Sequence, residues 1–171
     1  QKDILNLVYL CKYYGLEEVA EYWNQVVKIN DYQKDRFAQK IIDHFGGDLT
    51  GKTVTILGWA FKANTNDSRE SAAIFVAEKL YKAGAELNIY DPMVKEETIF
   101  RDIKYYWNTN SNPIQQGKIN FLKSKPSLNK VDTFVILTEW DEFKNFDFEN
   151  LVVFDGRNIL KESSKIYQIG R

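Results

Sequence analysis

Histidine and cysteine are nearly absent from this 171-residue chain, which has one of each, His44 and Cys11. A lone thiol excludes an internal disulfide, and a reducing compartment, the cytoplasm, suits it best. The residues show no metal-ligand spacing, so no metal site is expected. No nucleophile stands beside a base at a recognisable spacing, so no catalytic residue is assigned. Methionine also occurs only once, at Met93, and the chain opens on Gln1; the expectation is a fragment or processed product. No run of about 18 apolar residues is present, so no membrane span is expected, and no signal-peptide pattern opens the chain. Charge of one sign is lacking too. Lys and Arg number 23 against 24 Asp and Glu, a formal net charge of -1. The basic residues come singly or in pairs, so neither nucleic acid nor an anionic membrane is an expected partner.

What remains is an ordinary soluble balance, 44% hydrophobic and 27% charged, enough for one core-forming domain with a helical appendage. Residues 1–47 read as two helices. Ile4, Leu7, Val8 and Cys11 recur on one helical face, widened by Leu5 and Leu10, and Gly15 is the expected stop. A longer pattern starts near Glu17, runs through Val19, Trp23, Val26, Asn30, Phe37 and Ile41, and ends at Gly46 and Gly47. A helix of about 30 residues with a wide apolar face bridges domains or subunits, or packs on the domain that follows.

Residues 51–171 alternate strand and helix. The run 53–57 (TVTIL) is expected to form a buried parallel strand. Asp67 and Glu70 have capping-box spacing ahead of a helix carrying Ile74, Val76, Ala77 and Leu80 and stopping at Gly84. Residues 87–90 (LNIY) give the next strand, 133–137 (TFVIL) a third and 151–154 (LVVF) a fourth, with an edge strand at 166–169. The stretch from about 95 to 130 is expected to hold loops, short helices and one strand. The fold class that follows is α/β: a Rossmann-like, mostly parallel sheet flanked by helices, with two helices before it.

In such a sheet, ligands sit outside the carboxyl ends of the strands. Those ends carry 58–62 (GWAFK), Asp91 with Pro92, 138–140 (TEW) and 155–157 (DGR). With free N–H groups at a helix start near Asp67, Lys62, Arg69 and Arg157 suit an anionic ligand, with phosphate the natural candidate. The first turn does not suit a dinucleotide. Only Gly58 is present, and bulky Trp59 and Phe61 follow it, whereas close approach to a pyrophosphate needs several glycines. Plainer roles stand beside these: Trp59 and Phe61 as core covers, Lys62 as a solvated lysine, Arg69 paired with Asp67 or Glu70, Arg157 bracing its own turn through Asp155. Asp91, Pro92 and Trp140 read as structural, Cys11 as a buried core thiol.

The stretch from Gly58 to Ser71, G-W-A-F-K-A-N-T-N-D-S-R-E-S, closely resembles the hallmark G-F-A-F-K-x-x-T-x-D-x-R-E-S of the UDP-glucose 6-dehydrogenases. Residues 89–92 (IYDP), 138–140 (TEW) and 154–157 (FDGR) follow in the family's order, and the similarity spans nearly the whole chain. The resemblance implies an NAD-dependent oxidation of UDP-glucose to UDP-glucuronate, in two steps through a cysteine thiohemiacetal and thioester. It places the catalytic cysteine immediately upstream of Gln1 and the NAD domain further upstream. The chain would then supply a UDP-sugar-binding domain (51–171) and a central connector (1–47), and would be inactive alone. Carried over by motif, Phe61, Lys62 and Arg157 contact the nucleotide sugar, while Gln1, Lys2 and Arg69 lie towards NAD. The connector implies a homodimer. Some relatives form hexamers through the segment matching 44–48 (HFGGD), which departs from their pattern here. The alternatives are a dehydrogenase of another nucleotide sugar, and a non-catalytic Rossmann-like binding or assembly module.

Overall fold

The computed structural model describes residues 2–107, 116–127, 131–148 and 150–170. Two compact units emerge, Gln1–Arg36 and Phe37–Arg171. In the first, helix α1 (Lys2–Tyr13) is followed by the beginning of helix α2 (Glu17–His44). Its core is small: Val8, Cys11 and Ala20, with Ile4, Leu7 and Trp23 packed against them. Gly15 stops α1 as expected. It takes φ +72, the Gly15 N–H bonds to the Lys12 carbonyl, and the Leu16 N–H reaches back to Cys11. That pair of bonds is a Schellman closure, for which a residue without a Cβ is best suited.

The second unit is built on six strands in the order β3-β2-β1-β4-β5-β6, every neighbouring pair parallel. They are β1 (Thr53–Leu57), β2 (Glu86–Tyr90), β3 (Ile119–Phe121), β4 (Thr133–Ile136), β5 (Val153–Asp155) and β6 (Ile166–Gln168). The expected Rossmann-like sheet is therefore present, with no antiparallel strand among the described residues. β1 is buried from Val54 to Leu57 and β4 throughout, as apolar runs covered on both faces require. Helix α3 (Ala72–Lys82) joins β1 to β2 and packs against β2 and helix α4 (Glu96–Tyr106). The last turns of α2 belong to this unit: Phe37, Ala38, Ile41 and Ile42 are part of the sheet's core.

Three expectations need correction. Asp67 does not cap α3. The cap is Ser71, whose hydroxyl accepts the Ala73 N–H at 3.3 Å; Asp67 instead closes a preceding turn by accepting the Arg69 N–H at 3.1 Å. Glu70 takes φ +58, so the chain is not yet helical there. β5 lies at Val153–Asp155 and not at 151–154, because the Leu151 N–H is spent on Phe148. The region 95–130 contains the one expected strand, β3, but also one full helix, α4, where only loops and short helices were expected.

Candidate functional site

The direction of strand order reverses between β1 and β4, and the segments leaving those strands diverge there to leave a crevice. A cleft of about 550 Å³ opens at this place, lined by Lys62, Ala63 and Asn64 after β1, Pro92 after β2, and residues 139–142 and Lys144 after β4.

Its floor is held by one carboxylate. Asp91, buried at the exit of β2, accepts the Trp59 N–H at 2.7 Å, the Ala60 N–H at 3.0 Å and the Trp140 indole N–H at 3.2 Å on Oδ2. Its Oδ1 accepts the Met93 and Val94 N–H groups at 2.9 and 2.8 Å. One side chain thus ties together the exits of β1, β2 and β4. Asp91 and Trp140, read from the sequence as structural, both take part in this tie, and Trp140 also lines the cleft. Trp59 resolves to its core alternative: it is fully buried, and its indole donates to Asp102 Oδ2 at 3.0 Å. Ser68 donates its hydroxyl to the same oxygen. Sequence reasoning missed Asp102. It sits on α4, where no helix boundary was read, and an acidic residue on a helix gives no signal that it faces inward.

The rim brings Phe61, Lys62 and Arg157 together. Phe61 is 39% exposed, and the Lys62 ammonium lies 5.3 Å from the centre of its ring. Among the described residues no carboxylate pairs with Lys62. Arg157 donates from Nε to the Leu137 carbonyl at 2.7 Å and from Nη2 to the Phe61 carbonyl at 3.1 Å. Its Nε also lies 3.3 Å from Glu139 Oε2. Lys62 and Arg157 therefore share one edge of the sheet. The other cation lining the cleft, Lys144, is paired with Asp141 at 2.7 Å. Nearby, burial and the Glu142 carboxylate push the Tyr90 hydroxyl up to about 12.

Arg69 is held apart from this group. It is paired with Asp67 at 2.6 Å with its side chain 74% exposed, and that contact brings the Asp67 carboxyl down to about 2. Gln1 and the side chain of Lys2 lie outside the described residues, so their expected cofactor contacts have no geometry here. Among the described residues, no group of three or more His, Cys, Asp or Glu is placed to hold a metal ion, and no helix is long and apolar enough to cross a membrane.

Residues 55–162 match the family described as the UDP-glucose/GDP-mannose dehydrogenase family, UDP binding domain. The chain belongs to that family. The matched stretch contains every strand exit just described, from Gly58 to Arg157. UDP-glucose 6-dehydrogenase 1 of Arabidopsis thaliana is 43% identical over 189 residues, covering 99% of this chain and 39% of the plant protein. UDP-glucose 6-dehydrogenase of Drosophila melanogaster is 44% identical over 180 residues, 99% and 37% of the two chains. A UDP-glucose dehydrogenase structure from the hyperthermophilic archaeon Pyrobaculum islandicum superposes with a TM-score of 0.74 at 28% identity, covering 99% of this chain and 36% of that one. The chain spans less than two fifths of the length of the relatives it matches.

Proposed function

We propose that this chain is the UDP-sugar-binding part of an NAD-dependent UDP-glucose 6-dehydrogenase acting in the cytoplasm. The observation that carries the reading is a lysine with no carboxylate partner among the described residues, beside a half-open aromatic ring at the topological switch point of a parallel sheet. An ammonium there suits the diphosphate, and a ring face suits the base or sugar. The names of the 43–44% identical relatives support the choice of UDP-glucose over another nucleotide sugar.

NAD does not fit this domain in the usual Rossmann mode. Buried Trp59 fills the turn after β1. Asp91, at the end of β2 where a dinucleotide fold holds the ribose, has both oxygens engaged by N–H groups. Cofactor binding is assigned to a part of the enzyme outside these 171 residues, with exposed Arg69 on the side that faces it.

Calorimetric titration with UDP and UDP-glucose tests the reading. Lys62→Ala is expected to weaken either ligand about tenfold, the worth of one charge-assisted contact to phosphate. With NAD and UDP-glucose together, the 171-residue chain is expected to produce no NADH. Failure of the wild type to bind UDP, or unchanged affinity in Lys62→Ala, would overturn the assignment. A preference for GDP-mannose or a UDP-hexosamine in the same titration would move it to another nucleotide-sugar dehydrogenase.

The helical unit is proposed to form the homodimer contact. Tyr9, Tyr13, Tyr14, Tyr22 and Ile29 are all exposed there, more large apolar surface than a short helical segment leaves in water without a partner. Sedimentation equilibrium is expected to show a dimer that Tyr13→Glu combined with Tyr22→Glu shifts to monomer. A wild-type chain that stays monomeric at high concentration would end this part of the proposal.

A further inference from the structure

We propose that Glu139 is a positioning residue for Lys62, acting through the two peptide groups on either side of it. The inference rests on the reading that Lys62 takes the diphosphate of the ligand. The peptide entering Lys62 is held by its carbonyl: Phe61 O accepts Arg157 Nη2 at 3.1 Å. The peptide leaving Lys62 is held by its N–H: Ala63 donates to Glu139 Oε1 at 3.3 Å. The two holders are themselves paired, Arg157 Nε lying 3.3 Å from Glu139 Oε2. That carboxylate oxygen is buried and accepts no hydrogen bond, so the guanidinium charge is what compensates it. Arg157 is in turn fixed to β4 through the Leu137 carbonyl at 2.7 Å.

The loop turns at Asn64, which takes φ +62, a left-handed conformation that asparagine adopts more readily than other side chains. The far end of the loop is closed by the Phe61 N–H on the Asp67 carbonyl at 3.0 Å. With both flanking peptides fixed, the Lys62 Cα has one position from which its long side chain reaches the cleft. With the Glu139 contact gone, the peptide after Lys62 is free to turn and the ammonium samples a wider region. A binding group held in one place loses less entropy when the ligand arrives. The same geometry accounts for the joint presence of G-W-A-F-K and T-E-W. Thr138 donates its hydroxyl to the Ala60 carbonyl at 2.6 Å and Trp140 shares Asp91 with Trp59, so the second motif is tied to the first, and through Glu139 to Ala63 just after it.

The test combines amide hydrogen exchange with UDP titration on the 171-residue chain. Glu139→Ala is expected to speed exchange at the Ala63 amide and to weaken UDP binding about tenfold, the equivalent of one hydrogen bond. Glu139→Gln keeps an acceptor for Ala63 and is expected to retain most of the affinity. Glu139→Asp, too short to reach, is expected to behave like Ala and serves if Glu139→Ala folds poorly. The deciding measurement is the double variant. Lys62→Ala with Glu139→Ala is expected to bind UDP no more weakly than Lys62→Ala alone, because Glu139 acts only through the lysine. Additive losses, or unchanged Ala63 exchange, would overturn the inference while leaving the UDP-binding reading intact. Absence of UDP binding in the wild type would overturn both.

Discussion

Asp91→Ala is expected to lose about 4 kcal/mol of folding stability, measured as a fall in the urea midpoint at unchanged slope. Four backbone N–H groups and one indole N–H converge on the two oxygens of this carboxylate. Alanine removes every acceptor at once. Each donor left buried costs about 1–3 kcal/mol, reduced where water can enter the space vacated. The donors come from the segments that leave β1, β2 and β4, so the damage falls on the cleft floor. Asp91→Asn separates acceptor count from side-chain volume. Its amide keeps one oxygen but turns an NH₂ towards groups that are themselves donors, and a loss of about 2 kcal/mol is expected. If Asp91→Ala unfolds within about 1 kcal/mol of wild type, the carboxylate is not the tie described.

Gly58→Ala is expected to cost about 3 kcal/mol and to weaken UDP binding as well. Gly58 takes φ +96, and a Cβ built there would meet Thr138 Cβ, with Oγ1 at 2.5 Å and the backbone nitrogen at 2.7 Å. The first factor strains any L-residue at this angle. The second forces the exits of β1 and β4 apart, at the side of the sheet where the cleft opens. Because the Thr138 backbone is among the atoms struck, adding Thr138→Ala is expected to recover less than half of the loss. Thermal unfolding of the single and double variants decides the point; near-complete recovery would mean that only a side-chain clash was at stake. Gly58 is therefore a packing glycine between two strands, a different use from the pyrophosphate approach that the first glycine of a dinucleotide fold serves.

Much of the fold was legible because its strongest signals are local. The runs 53–57 and 133–137 are short and rich in β-branched residues, and they and 87–90 each lie within a residue or so of a strand of the parallel sheet. Gly15, Gly46 and Gly84 each close a helix at positive φ. The illegible parts share a different cause. Both Asp67 and Ser71 are good caps, and only the φ of +58 at Glu70 decides that the helix waits for Ser71. At β5 the apolar stretch starts two residues early, because Leu151 is used in a turn and the strand ends on buried Asp155, which accepts the Arg157 and Leu160 N–H groups. α4 was hidden because its apolar face is narrow and its inward residue Asp102 is acidic.

The same division holds at the site. The order of residues along the chain determined the sheet class, the four strand exits where chemistry is concentrated, and the family to which the motifs belong, because these depend on periodicity and on residue identity at fixed spacing. It did not determine what each side chain at those exits does. Phe61 and Trp59 are two aromatics in one pentapeptide, yet one is exposed and the other buried against Asp102. Lys62 and Arg157 are two cations on one rim, yet one has no carboxylate partner among the described residues and the other is occupied by two carbonyls and Glu139. Those assignments were made by tertiary structure alone, because burial and pairing depend on groups far apart in the sequence, 43 positions for Trp59 and Asp102 and 96 for Arg157 and Phe61, that only the folded sheet brings within hydrogen-bond reach.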